Sequence, residues 1–308
     1  MKQPLPVTPH SRQGLLRLCQ TTSCRKKSDI DISPSLLYPL LFCVPCHRGA
    51  DMLDRNRLQE MFDLLGCEEP LGISYTENAP ESSVTPAPGT GHACIINYLR
   101  MARTKKIRVH FSSDVRTCMG GWVYLGYQLP VPERILHFVT TGWSGEEGEH
   151  YLPSPDSMRR FFKDIDILPA PAPYCTATPL FSFSKAEDPL LVTFHCRGEV
   201  LTGLTMLAGF ALDDHDAVTM PFGSGCASIF AWPLSYRQRG LKKAVIGGSD
   251  PSCRPFMGVD ELSFTVTSDI LLVMQNAVPH SFLMGKTWAG VRKKIDRSRK
   301  VWEEAASR

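Results

Sequence analysis

Gly91-His92-Ala93-Cys94, an apolar run (Ile95, Ile96, Tyr98, Leu99), the strand-like Lys105-Lys106-Ile107-Arg108-Val109-His110-Phe111 and the corner Ser113-Asp114-Val115-Arg116-Thr117-Cys118 follow one another in a single stretch. A later stretch has the same form. Gly223-Ser224-Gly225-Cys226 leads an apolar run (Ala227, Ile229, Phe230, Trp232), then Lys242-Lys243-Ala244-Val245-Ile246, then Ser249-Asp250-Pro251-Ser252-Cys253. Each reads Gly-x-x-Cys, apolar segment, Lys-Lys strand, Ser-Asp and a second cysteine. An earlier pair of segments, Pro70-Leu71-Gly72-Ile73-Ser74-Tyr75 and Pro189-Leu190-Leu191-Val192-Thr193-Phe194, extends the parallel. Internal duplication and chance similarity of short motifs both account for this, because the spacings differ by several residues.

Working outward, the first periodic segment is Leu53, Leu58, Met61, Phe62 and Leu65, at helical spacing with Gly66 as a stop. Residues 92–103 read as a helix and 106–111 as a strand. Residues 122–127 read as an apolar turn or short helix, and 132–139 as a helix opened by Pro132. Residues 140–155 form an acidic loop, and Pro155-Asp156-Ser157 caps a helix through Phe162. Pro169-Ala170-Pro171-Ala172-Pro173 is a stiff extended connector. Beyond it, strands are expected at 180–183, 189–194, 217–220 and 262–266. Helices are expected at 199–212 and 270–277. A basic C-terminal helix at 286–305 carries Trp288, Val291, Ile295 and Trp302 on one face, expected to pack on the body. The fold class is therefore α+β: mixed sheet and helices in one domain over 52–308, with pseudo-symmetric halves at 52–168 and 174–280.

Residues 1–51 lack any period and hold seven Lys or Arg against three Asp or Glu. They read as a disordered leader, with Met52 as the natural start of the protein. Cys43-Val44-Pro45-Cys46 falls in this leader, away from any strand–helix context, and reads as an accident rather than half of a zinc knuckle. The net charge of +3 over 308 residues is too small to imply a polyanionic partner. The basic run Arg292 to Lys300 lacks interleaved aromatic residues, so it reads as a solvated helix face and not as a nucleic-acid site. No apolar run reaches the ~20 residues needed to span a bilayer. Neither nucleic acid nor membrane is expected as a partner. With no signal peptide, the eleven cysteines read as reduced thiols in a cytoplasm.

Four of those thiols carry the chemistry. Glycines ahead of Cys94 and Cys226 let the backbone turn sharply, and a helix starting there would favour thiolate. Cys118 and Cys253 each follow a strand, where layered α/β folds place their sites. Four thiolates meeting between the halves would hold zinc or an iron–sulfur cluster. A second reading is a thiol-dependent enzyme acting on a small organic substrate. His92 sits two residues from Cys94, the wrong spacing to face it on a helix, and no other histidine is singled out as a base. A third reading is a small-molecule binding protein whose cysteines are merely buried, with a pocket near Trp122, Tyr124 and Trp232. Arg254 would pair an anionic group of a ligand; His92, Gly120, Gly121, Trp122 and Tyr124 complete the candidate ligand-binding set. No dinucleotide fingerprint, Walker loop or His-Glu-x-x-His motif is present, and the sequence names no reaction.

The chain resembles the uncharacterised ArCR-type family, domain of unknown function 169. The resemblance covers most of residues 52–280. Its most specific segment is Cys118-Met119-Gly120-Gly121-Trp122-Val123-Tyr124-Leu125-Gly126. Gly91-His92-Ala93-Cys94, Pro155-Asp156, Gly223-Ser224-Gly225-Cys226 and Cys253-Arg254 support it. It implies a fold of mixed α and β and a cytoplasmic setting, and brings no established activity.

Overall fold

The computed structural model describes residues 52–86, 93–115, 118–183 and 188–306. The leader, Cys43, Cys46, Gly91 and His92 lie outside the described residues. A seven-stranded sheet organises the rest. Its strands are β1 (Leu71–Thr76), β2 (Val109–Ser112), β3 (Tyr174–Pro179), β4 (Leu191–Arg197), β5 (Val218–Thr219), β6 (Ala244–Gly247) and β7 (Glu261–Thr267), in the order β2-β3-β1-β4-β7-β6-β5. Every neighbouring pair is antiparallel except β5 with β6. The fold is α+β, as expected.

Helices cover both faces, and the two-residue period of the strands decides which side chains meet which helices. Along β4, Leu191 joins one apolar core while Val192, Phe194 and Cys196 join the other. The first face carries α2 (Ile95–Lys105), α3 (Met119–Tyr124), α4 (Glu133–Val139), α5 (Pro155–Ile165), a π-helical turn Ala227–Ala231 and α7 (Trp232–Gln238). The second carries α1 (Arg55–Leu65), α6 (Gly198–Leu212), α8 (Ser268–Ala277) and α9 (Lys286–Ala306). Helix α1 ends as its sequence indicates. Gly66 turns left-handed at φ 70° and its amide returns to the carbonyls of Phe62 and Asp63.

Several boundaries differ from the periodicity. Strand β2 starts only at Val109, because Lys106 adopts a left-handed conformation (φ 53°) that closes α2. Helix α5 is capped by Ser154, whose hydroxyl accepts from the Ser157 amide, rather than by Asp156 or Ser157. The strand after the proline connector is Tyr174–Pro179, and Leu180–Ser182 is a 3-10 turn. The connector is therefore no seam between sheets, since β3 lies beside both β1 and β2. Outward from the central β1–β4 pair the order is β1-β3-β2 on one side and β4-β7-β6 on the other. A duplication would produce that order, but its halves would part between β3 and β4, not at 169–173.

Helix α9 docks along part of its length. Trp288 is buried, meets Phe282 edge to face at 5.1 Å and donates to the Leu64 carbonyl at 2.8 Å. Arg292 donates to Leu65 at 2.9 Å and Arg299 pairs with Glu199. Val291 and Trp302 are exposed, Trp302 by 73%, so the apolar face does not pack on the body along its full length. The docked contacts run from Trp288 to Arg299, and the described residues beyond Arg299 are all exposed.

Candidate functional site: a four-cysteine cavity

The loops at one end of the first face meet around a cavity of about 530 Å³. Cys94, Cys118, Cys226 and Cys253 all line it. Each stands at a different corner, and local backbone bonding explains how the corners close on one another. Cys94 is the N-cap residue of α2, and its carbonyl accepts from the Asn97 amide at 3.1 Å. Cys118 is the N-cap residue of α3. Its sulfur accepts from the Gly121 amide at 3.3 Å, and its own amide donates to the Ala93 carbonyl at 3.1 Å, which ties it to the Cys94 corner. Cys226 precedes the π-helical turn, where the Ser224 hydroxyl accepts from the Ala227 amide at 3.3 Å. Cys253 lies in the 3-10 turn Pro251–Phe256 and donates to the Asp250 carbonyl at 3.1 Å.

Glycine lets these corners approach. Gly223 has φ 142°, a conformation L side chains rarely adopt, and a Cβ there would stand 2.8 Å from that of Ala227. A Cβ on Gly225 would stand 3.1 Å from Ile96 and 3.2 Å from the Cβ of Cys253. Gly225 thus packs the third corner against the first and the fourth.

The helix-start argument for thiolates does not carry the balance. Burial pushes all four thiols up, Cys253 to about 11 and Cys226 well above the ordinary range. Backbone amides at Asn97 and Ile96 pull Cys94 down, and those at Gly121 and Ile95 pull Cys118 down, by less than burial raises them. Desolvation exceeds the hydrogen bonds because the walls are largely apolar. The sulfurs also feel one another: Cys226 is raised further by Cys118, Cys94 and Cys253. Such thiols are poor nucleophiles as they stand. No histidine lies among the described residues lining the cavity.

Of the other expected site residues, Gly120, Gly121 and Tyr124 line the cavity and Trp122 does not. Arg254 lies off the lining. Its guanidinium donates to the carbonyls of Gly248, Gly258, Val259 and Glu261 at 2.6 to 3.1 Å, so it clasps the loop leading into β7 and has no anion to bind. Trp232 is buried behind the wall and donates to the Phe222 carbonyl at 2.9 Å. Sequence reasoning missed the mouth: Phe138 of α4, Tyr151 of the acidic loop, and Phe222. Pro221-Phe222-Gly223 was legible as an aromatic residue on the approach to a glycine corner, but Phe138 and Tyr151 belong to segments with no cysteine in them.

Among the described residues no three His, Cys, Asp or Glu side chains stand close enough to hold one metal ion. No disulfide joins the described cysteines. Among the described residues no helix is long and apolar enough to cross a membrane. Neither a curated protein nor a solved structure matches the chain. A family profile matches residues 59–277, over two thirds of the chain and all four cysteine corners, and the chain accordingly belongs to the uncharacterised ArCR family, domain of unknown function 169.

Proposed function

We propose that this protein binds a polynuclear iron–sulfur centre through Cys94, Cys118, Cys226 and Cys253. The observation that carries the reading is that all four sulfur-bearing corners open on one cavity. Two come from before the connector and two from after it. A mononuclear zinc site is disfavoured by spacing. Zinc needs thiolates at ~2.3 Å each, and no described trio is that tight. A cluster spreads its ligands over several metal atoms and asks for a wider ring of sulfurs. The thiol-enzyme reading fares less well, because the thiols are pushed up by burial and the described lining offers no imidazole to take a proton.

The test is anaerobic purification of the full chain from cells supplied with iron, followed by iron and acid-labile sulfide analysis and a visible absorption spectrum. Iron and sulfide in equal, roughly stoichiometric amounts, lost in Cys226→Ala, are the expected result. Protein that stays free of iron and labile sulfide, with all four thiols titratable, removes the proposal.

A further inference from the structure

The cavity is larger than its sulfurs need. A centre bonded at ~2.3 Å to each sulfur fills only part of about 530 Å³, a volume in the ~300–1,000 Å³ range of organic-ligand pockets. The surplus space lies towards the mouth, where the lining is aromatic and unusually open to solvent. Phe138 is 51% exposed, Phe222 44% and Tyr151 36%. Beneath them the wall continues with Ile135, Met158 and the buried Tyr124. Large rings left in water at the lip of an apolar cavity lose that exposure when a flat apolar molecule enters.

The charges at this mouth select the ligand further. Arg134, Glu149 and Asp250 are its charged side chains. Arg134 is taken up by Glu146, with Nη2 at 3.0 Å from the carboxylate. The Asp250 carboxylate accepts from the amide and hydroxyl of Ser252 at 3.1 and 2.7 Å. Glu149 stands beside the Tyr151 hydroxyl and brings a second carboxylate to the lining. With its one cation already paired, the entrance presents two carboxylates to any incoming molecule.

We propose that the outer part of the cavity binds an apolar aromatic molecule bearing no negative charge, its rings between Phe138 and Phe222 and its inner edge towards the four cysteines. This deepens the iron–sulfur reading, resting on the same cavity being the working site, and it gives that centre a small organic neighbour. The probe is N-phenylnaphthylamine, whose fluorescence rises in apolar surroundings, compared with its anionic relative anilinonaphthalene sulfonate on the full chain. The neutral probe is expected to bind at one site, and the sulfonate at least about tenfold more weakly because it meets Glu149 and Asp250. Phe138→Ala with Phe222→Ala should weaken the neutral probe by about tenfold or more; both rings are exposed, so an unchanged melting transition confirms that the fold survives. Glu149→Gln should narrow the gap between the two probes.

Equal affinity for both probes, or neutral-probe binding indifferent to the two phenylalanines, overturns the inference. Titrating the wild-type chain alongside its iron and labile-sulfide assay separates the two readings. Wild-type protein that binds the neutral probe but never carries iron or labile sulfide sinks the cluster alone. Iron-loaded protein that ignores the neutral probe sinks the aromatic site alone.

Discussion

The two faces of the sheet bury cysteine to opposite ends. On the second face Cys196 points from β4 into a core closed by α1, α6 and α8, and Cys67 packs at its edge; burial pushes both thiols to about 12. On the first face Cys175 of β3 is likewise a core thiol pushed to about 12, but four further cysteines stand at loop corners around an open cavity. The difference follows from helix length. Helix α6 runs 15 residues and α1 and α8 run 11 and 10, so continuous apolar stripes close the second face. On the first face α2 and α5 run 11 residues, but α3, α4 and α7 run only six or seven, bounded near Gly126, Pro132 and Gly240. Short helices bring their loops together at one end, and that is where the space remains. A cysteine's surroundings, not its presence, separate a core thiol from a candidate ligand.

The sharpest way to break this contrast is one substitution on each face. Cys226→Ala should abolish iron and sulfide binding while the fold persists, and Cys196→Ala should leave both contents at the wild-type level. Equal loss from the two would mean the sulfur acts through folding alone. Core truncation should show the reverse pattern. Phe264→Ala on the second face removes a fully buried ring that packs on Phe194 at 6.2 Å and should cost about 3–5 kcal/mol in urea unfolding, with the iron content of the remaining folded protein unchanged.

A smaller effect is expected from pH, and it belongs to the first face. The His195 imidazole is pushed down to about 4, mainly by burial, with the Arg103 charge adding and Glu261 opposing. Its Nδ1 is buried with no hydrogen-bond partner among the described residues. The folded state therefore holds the neutral ring more firmly than the unfolded chain, whose histidine titrates near 6.5. The stability this provides is full above pH 6.5 and drains away as pH falls towards 4, by about 3 kcal/mol in all. Urea midpoints between pH 7 and 4.5 should fall accordingly, and His195→Gln should flatten the slope. The Arg103–Glu261 pair beside it, at 2.9 Å, holds Glu261 low against the upward push of its own burial, and its contribution is lost only as pH falls below about 4.5.

Much of the scaffold was legible in the chain. The period of Leu58, Met61, Phe62 and Leu65 and the glycine stop mark α1; alternation marks β7; and the repeated Gly-x-x-Cys and Ser-Asp segments lead to four corners of a single cavity. What periodicity could not supply was pairing. Strand β3 follows a proline connector and would pass for the start of a new unit, yet its partners β1 and β2 lie more than 60 residues upstream. Long-range hydrogen bonding leaves no local mark on a strand. The same limit hid the mouth of the cavity, since Phe138 and Tyr151 are brought to Phe222 by the packing of α4 and its loop. Arg254 errs the other way: directly after a cysteine it suggests a ligand's counter-charge, but its two terminal nitrogens donate to four backbone carbonyls between the end of β6 and the start of β7.

The finest test of the contrast lies within two adjacent residues of the first face. Gly120 and Gly121 both line the cavity, and the sequence offers no reason to rank them. A Cβ on Gly120 would meet only the Tyr124 ring, at 3.7 Å, which is ordinary contact. A Cβ on Gly121 would stand 2.6 Å from Ile95 Cδ1 and 3.1 Å from the Cys118 sulfur. Alanine at 120 should therefore stabilise the protein by up to about 1 kcal/mol, through the reduced freedom of the unfolded chain, and leave iron binding intact. Alanine at 121 should cost about 1–3 kcal/mol by overpacking and displace the sulfur, with a measurable fall in iron content. Thermal unfolding and iron analysis of the two single variants suffice. If Gly121→Ala lowers stability but keeps its iron, Cys118 is a bystander and the centre rests on the other three corners. If Gly120→Ala is the more harmful change, α3 does not pack on Ile95 as described, and the cavity wall must be redrawn from that helix outward.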